Sequence, residues 1–333
     1  MTGLRSRRDS STARGYEPVQ NVPTVGRLVE NKHVTFADPT ERTTVSQLSQ
    51  AAEVFESNRR RLFGIAYRML GTVADAEDIV QDAWLRWQAT DRSVVLNTEA
   101  FLVTTVTRLS INAVTSARVR RESYIGPWLP ELVPTGDDPS LGAERAEALS
   151  VAMLTLMEHL SPSERAVYVL REAFDYPFRQ IAEVLETSEA NARQLARRAR
   201  DHLAGQRRAP AQRQEISRLL DAFLSAARSG NLDELERLLA QDVVSISDGG
   251  GKVTAARQPV TGRDRVARFL LGALRQFGQG ATFEISDANG GSCLLIKQGS
   301  ELLAMATVSS GGGVIDGIYL VRNPDKLGSV QSS

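Results

Sequence analysis

From Ser46 to Glu122 apolar residues return at helical intervals, and the polar positions between them sort onto opposite faces. Phe63, Ala66, Tyr67 and Leu70 mark one face of a helix that Gly71 is placed to end. The next segment, TVADAEDIVQDAWLRWQ, sets Ile79, Ala83, Trp84 and Trp87 on one side and Asp75, Asp78 and Asp82 along another. Three carboxylates in one stripe repel each other, so this face weakens its helix and suits a basic partner. A third helix, EAFLVTTVTRLSINAVTSARVRRE, buries Leu102, Val106, Leu109 and Ala113. Its other face shows Arg108, Asn112 and Thr115 and runs into Arg118, Arg120 and Arg121. These groups suit nucleic acid and an ordinary solvated face equally well.

Gly126, Pro127, Pro130, Pro134, Gly136 and Pro139 forbid regular helix over residues 123–143, which mark a linker. Inside it lies Trp128-Leu129-Pro130-Glu131-Leu132; a pure spacer has no use for an exposed Trp, so this apolar knot is expected to dock on a neighbouring domain. A helix near residues 143–160 then opens a second helical domain, residues 144–210. Ser161, Pro162 and Glu164 form a capping box with proline at the first helical position. Ile181, Ala182 and Leu185 give a short second helix, and Thr187-Ser188 supplies the turn and N-cap of a third. On that third helix Ala192, Leu195, Ala196, Ala199 and Leu203 face inward, which turns Arg193, Gln194, Arg197 and Arg198 outward. This is a helix-turn-helix with a recognition helix, and DNA is its leading partner.

From Gln212 the pattern changes again. Ile216, Leu219, Leu220, Phe223 and Leu224 predict one helix, and Leu232, Leu235, Leu238 and Leu239 a second. Strands follow at 243–247, 282–286, 292–297, 302–308 and 314–321, with a helix near 263–276. Helices leading into a run of antiparallel strands predict an α+β domain, a curved sheet wrapped round one helix and enclosing a cavity.

The 333 residues allow two or three domains. Formal net charge is zero, so any DNA contact must come from local patches, and the charges do segregate into an arginine-rich stretch from Arg193 to Arg208 and an acidic cluster around Asp75. A lone Cys293 excludes a disulfide framework and is expected to sit inertly in a strand; His33, His159 and His202 show no ligand spacing, so neither metal nor cofactor is expected. No apolar run reaches the roughly 20 residues of a membrane span, and the early arginines are not followed by an apolar signal segment. A soluble cytoplasmic protein is expected, with residues 1–45 a disordered N-terminal extension.

Over residues 54–327 the chain resembles an extracytoplasmic-function (ECF) sigma factor of bacterial RNA polymerase, of the type fused to a C-terminal SnoaL-like domain. RRRLFGIAYRMLGTVADAEDIVQDAWLRW carries the resemblance in the first half, and SPSERAVYVLREAFDYPFRQIAEVLETSEANARQLARRAR in the second. Three short motifs in order mark the subtype: WLPEL in the linker, DGGGK (Asp248, Gly249, Gly250, Gly251, Lys252) and NPDKL (Asn323, Pro324, Asp325, Lys326, Leu327). Leu132 stands where the family's linker motif commonly has a second proline.

The resemblance implies a multidomain fold: all-α sigma region 2 (46–122) and helix-turn-helix region 4 (144–210), followed by an α+β SnoaL-like cone (212–333). It implies that Asp75, Asp78 and Asp82 dock on the β′ clamp helices of core RNA polymerase, whose β subunit is also contacted. It implies that Arg108, Asn112, Thr115, Arg118, Arg120 and Arg121 meet the minus-ten promoter element, while Ser188, Glu189, Asn191, Arg193, Gln194, Arg197 and Arg198 read the minus-thirty-five element. Trp128, Leu129, Pro130 and Glu131, with DGGGK and NPDKL, would regulate activity in cis, in a protein that is monomeric when free. SnoaL-like cones also include cyclases and isomerases, so an enzyme carrying DNA-binding modules is the alternative. Against it, no histidine follows His202, and Asp242 and Asp248 sit at strand ends, where carboxylates commonly cap or solvate loops.

Overall fold

The computed structural model describes residues 39–133, 150–204 and 213–328. Helix α1 (Pro39–Leu70) begins before Ser46, inside the stretch expected to be disordered; the rest of that stretch lies outside the described residues. Gly71 ends α1 with φ +78°, its N–H donating to the Tyr67 carbonyl at 2.7 Å. Helix α2 (Val73–Ala89) carries the acidic stripe, and the Trp87 indole ties it to α1 by donating to the Ala51 carbonyl at 3.0 Å. Helix α3 (Thr98–Glu122) is capped by Asn97. Ala113 is only half-buried there, because the inward face drifts to Val114 and Ala117 by its last turns.

After the linker come α4 (Val151–Met157) and α5 (Pro162–Tyr168). The helix expected from residue 143 is seen only from Val151, since residues 134–149 lie outside the described set. Both arms of the capping box are made: Ser161 Oγ accepts from the Glu164 amide at 3.3 Å, and the Glu164 carboxylate accepts from the Ser161 amide at 3.0 Å. A π-helical turn, Val169–Ala173, leads to α6 (Phe178–Val184) and then α7 (Glu189–Ala204), on which Ala192, Leu195, Ala196, Ala199 and Leu203 are all buried. Although the linker separates them in sequence, α1–α3 and α4–α7 share one apolar core, with Leu62, Leu70 and Val106 in the same cluster as Leu154, Met157 and Leu170. Each such side chain contributes about 1.5–3 kcal/mol on burial, so this contact is a substantial association.

The C-terminal part has α8 (Arg213–Ser229), α9 (Leu232–Leu238), β1 (Leu239–Asp248), β2 (Val260–Thr261), α10 (Arg263–Phe277), β3 (Ala281–Ala288), β4 (Gly291–Gln298), β5 (Glu301–Gly311) and β6 (Val314–Val321). The strands form one sheet in the order β2-β1-β6-β5-β4-β3. Three expectations are corrected. The sheet is mixed, because β1 runs parallel to β6, the long excursion through α10 and the β3–β5 meander returning the chain beside its first strand. Leu239 opens β1 instead of closing α9, and three helices, not one, line the sheet, Leu220, Leu235 and Val266 packing with Val243, Val308 and Ile318. The opposite sheet face is not left to water: Leu295, Leu302, Met305 and Val321 pack against Leu129, Leu132 and Val151. The linker is therefore a layer of the fold.

Candidate nucleic-acid interface and interdomain latch

Asp248, at the end of β1, is fully buried and accepts four hydrogen bonds through its carboxylate. Oδ1 takes the Tyr124 hydroxyl at 2.6 Å and the Gly250 amide at 3.0 Å; Oδ2 takes the Leu129 amide at 2.9 Å and Lys326 Nζ at 2.7 Å. Its own carbonyl accepts from the Arg322 and Asn323 amides at 2.7 and 2.9 Å. Far from solvating a loop, as its strand-end position suggested, Asp248 joins the three motifs at one point. Lys326 also donates to the Leu129 carbonyl at 2.6 Å, so one ammonium and one carboxylate hold both backbone groups of Leu129. Burial pushes the Lys326 ammonium down to about 8, with Asp248 pulling the other way. Burial, and next the hydrogen bond to Asp248, push the Tyr124 hydroxyl above its ordinary range.

The remaining motif residues close round this centre. Gly250 has φ +59°, and a β-carbon there would lie 2.4 Å from Asn323 Nδ2; at Gly251, with φ +71°, it would meet Ile125 at 2.9 Å. Asn323 Nδ2 donates to the Tyr124 hydroxyl at 2.8 Å, and Asn323 Oδ1 caps the turn Pro324–Lys326. Leu327 is buried beside Leu129 in the sheet-face cluster. Lys252 pairs with Asp325 at 2.6 Å on the exposed rim, where such a pair contributes about 0–1 kcal/mol. Trp128 is half-buried between two cations, with the Arg121 guanidinium 3.5 Å and Lys326 Nζ 4.3 Å from its ring centroid.

The other end of the linker is held separately. The Glu131 amide donates to the Gly71 carbonyl at 2.9 Å, its carbonyl accepts the Tyr67 hydroxyl at 2.5 Å, and its carboxylate accepts the Val73 amide. Burial raises the Glu131 carboxyl. In the β3–β4 turn Asn289, at φ +52°, donates to the Tyr67 hydroxyl at 2.7 Å and pairs with both backbone groups of Val133, at 2.7 and 2.9 Å. Tyr124 and Asn289 were not among the residues singled out from the sequence, and Tyr67 was read only as part of the apolar face of its helix. Asn289-Gly290 is a hairpin signal, but it marks the turn and not what its side chain reaches.

The two sets of residues expected at DNA differ in their surroundings. On α3, Arg108 donates to the Val184 carbonyl at 2.9 Å and pairs with Glu186 at 3.0 Å. Arg118 donates to the Glu158 and Leu160 carbonyls at 3.0 and 2.9 Å, and Arg121 reaches the Glu158 carboxylate and the Leu70 carbonyl. Arg120 pairs with Asp75 at 3.0 Å, while Asn112 and Thr115 are exposed. On α7, Arg193, Gln194, Arg197 and Arg198 are exposed, as are Ser188 and Glu189, and Asn191 is half-buried. Arg193 pairs with Glu189 and Arg197 with Asp201, each one turn away, while Arg198 lies 3.7 Å from Glu164. Of the acidic stripe, Asp75 also accepts the Thr72 hydroxyl at 2.6 Å, whereas Asp78 and Asp82 are exposed next to Leu85.

Among the described residues no three His, Cys, Asp or Glu side chains stand in metal-binding arrangement, and no helix is long and apolar enough to cross a membrane. Cys293 is buried in β4, where burial pushes its thiol up to about 12.

The family model for sigma-70 region 2 matches residues 54–120, and that for sigma-70 region 4 matches residues 150–203. The chain is 43% identical over 235 residues to the ECF RNA polymerase sigma factor SigJ of Mycobacterium tuberculosis, covering 68% of this chain and 74% of that one. It is 29% identical over 291 residues to the probable ECF sigma factor SigI of the same organism, covering 85% and 97%. The crystal structure of SigJ superposes with TM-score 0.68 at 34% identity over 84% of this chain and 98% of that one. That coverage exceeds what the helical part, ending at Ala204 of 333 residues, can supply, so the sheet domain is shared as well. The chain belongs to the ECF sigma factors of the sigma-70 family, proteins that direct transcription initiation at promoters.

Proposed function

We propose that this is the closed form of a sigma factor whose C-terminal domain (212–333) regulates it in cis by holding region 2 (46–122), the linker (123–143) and region 4 (144–210) together. The observation that carries this reading is the occupation of α3: Arg108, Arg118 and Arg121 are bonded to groups of region 4 and the α1–α2 turn. Elements at minus ten and minus thirty-five lie about 25 base pairs apart, about 85 Å at 3.4 Å per pair. A chain in which α3 bonds directly to the end of α6 does not reach both. Opening frees α3 for the minus-ten strand, leaves α7 to enter the major groove at minus thirty-five, and lets Asp75, Asp78 and Asp82 dock on the polymerase β′ clamp helices, with further contact to the β subunit.

In this reading the sheet domain is a regulator and not a cyclase or isomerase. Asp248, the carboxylate best placed for acid–base work, is engaged by four donors in the latch. The groove of about 590 Å³ at the α10–β3 end is lined by Arg228, Leu274, Gly278, Ala281, Thr282 and Phe283, a set without a general base. The test is reconstitution with core polymerase on a mapped promoter. Initiation from that promoter is expected, with output altered in Trp128→Ala while the protein stays folded; absence of promoter-dependent transcripts, or identical output from both proteins, would overturn the reading.

A further inference from the structure

The turn into α2 lacks a cap of its own. Thr72 occupies the N-cap position with extended backbone, φ −129° and ψ 146°, yet its side chain caps no amide of the helix. Its hydroxyl instead donates to the Asp75 carboxylate at 2.6 Å. The amide of Val73, the first residue of α2, is taken by the carboxylate of Glu131, from the linker. The same residue anchors its backbone to the turn on both sides, through its amide to the Gly71 carbonyl at 2.9 Å and through its carbonyl to the Tyr67 hydroxyl at 2.5 Å. Gly71 is shaped to admit the linker, for a β-carbon there would lie 2.7 Å from Trp128 Cη2.

We infer that Glu131, supplied by the linker, caps the N-terminus of α2 in place of the Thr72 side chain, so that release of the linker and loosening of the first turn of α2 are a single event. An anionic oxygen at a helix N-terminus satisfies an orphan amide and meets the positive end of the helix dipole. Glu131 shares its linker segment with Leu129, which Asp248 and Lys326 hold. Disturbing the latch at Lys326 therefore reaches α2 without touching it. Because α2 bears Asp75, Asp78 and Asp82, the state of the C-terminal domain is written onto the first turn of the acidic helix. This rests on the cis-regulation reading for its purpose, and on the geometry of residues 67–73 and 131 for its existence.

Hydrogen exchange of the free full-length chain, with neither polymerase nor promoter present, separates the two. In Glu131→Ala the amides of residues 73–75 are expected to exchange about 5- to 30-fold faster, the range that loss of a cap gives. Glu131→Gln, which keeps an acceptor oxygen, retains most of the protection. Lys326→Met, remote from α2, accelerates the same amides. Adding Thr72→Asn, a strong cap without added charge that bonds the amides of residues 74 and 75, restores the turn at those two amides in both backgrounds while the linker amides of residues 129–133 stay fast. Unchanged exchange at 73–75 in Glu131→Ala overturns the cap. An effect of Lys326→Met that is absent at 73–75, or one that Thr72→Asn leaves in place at 74 and 75, overturns the coupling.

Discussion

Helices α3 and α7 both carry an arginine-bearing face, and both were expected at DNA, yet the folded chain treats them oppositely. On α7 the outward guanidinium groups of Arg193 and Arg197 pair with carboxylates one turn away on the same helix, contacts worth a few tenths of a kcal/mol each. On α3, Arg108, Arg118 and Arg121 donate to backbone carbonyls of other elements, and Arg121 lies partly buried against Trp128. Charge-assisted bonds of that kind contribute about 1.5–3 kcal/mol each. In the proposed reading, closure engages three of the six residues assigned to the minus-ten strand through other elements and leaves Arg193, Gln194 and Arg197 in solvent, so regulation weighs on the first DNA contact more than on the second.

The largest expected break in that asymmetry is Asp248→Asn. It strips the buried Lys326 ammonium of its counterion, a change that costs about 3–5 kcal/mol in buried pairs. Binding of a single-stranded minus-ten oligonucleotide should rise steeply while binding of a minus-thirty-five duplex stays constant, measured by fluorescence anisotropy on the same protein. A parallel rise in both would mean that α7 is masked too. Asn289→Ala, which removes the side-chain bonds to the Tyr67 hydroxyl and the Val133 amide but keeps the backbone bond to the Val133 carbonyl and leaves the Asp248 centre intact, should shift the balance the same way by about 1–3 kcal/mol. Equal thermal unfolding and equal oligonucleotide binding in the variant would remove Asn289 from the latch.

A further effect is that of pH, confined to the range above about 8. Lys326 is held down to about 8 in the latch against 10.5 for an unperturbed lysine. Between these values the open chain binds the extra proton, so closure strengthens as pH rises from about 8 to 10.5 and loses that contribution as pH falls through 8. Below about 8 both forms carry the proton and this group contributes no slope. Minus-ten oligonucleotide binding should fall as pH is raised above 8 in the wild type, with Lys326→Met lacking this part of the dependence.

Much of this was legible in the sequence because short-range physics settles it. The capping box at Ser161, the Gly71 stop and the inward spacing of Ala192 to Leu203 are local patterns, and each appears where the sequence places it. Residue types also located the linker knot and the two loop motifs, since Trp128 in a spacer and three consecutive glycines each need a reason. What the sequence left hidden is long-range. The parallel pairing of β1 with β6, the shared core of the two helical groups, and the meeting of Tyr124 with Asp248 across 124 residues have no local signature. Asp248 shows the cost most clearly: its position at a strand end fits a solvated carboxylate, and only the arrival of Leu129 and Lys326 makes it the buried centre of the fold.

The central claim, that the free chain is closed with α3 against the helix-turn-helix, is tested most directly by a distance. Val119 on α3 and Ala190 on α7 are both exposed and lie outside the residues assigned to DNA, and Cys293 is buried, so Val119→Cys with Ala190→Cys accepts a donor–acceptor dye pair. The free chain should give a single high-transfer population that converts to low transfer when core polymerase is added. The same transfer efficiency with and without polymerase, or low transfer in the free chain, would contradict the account.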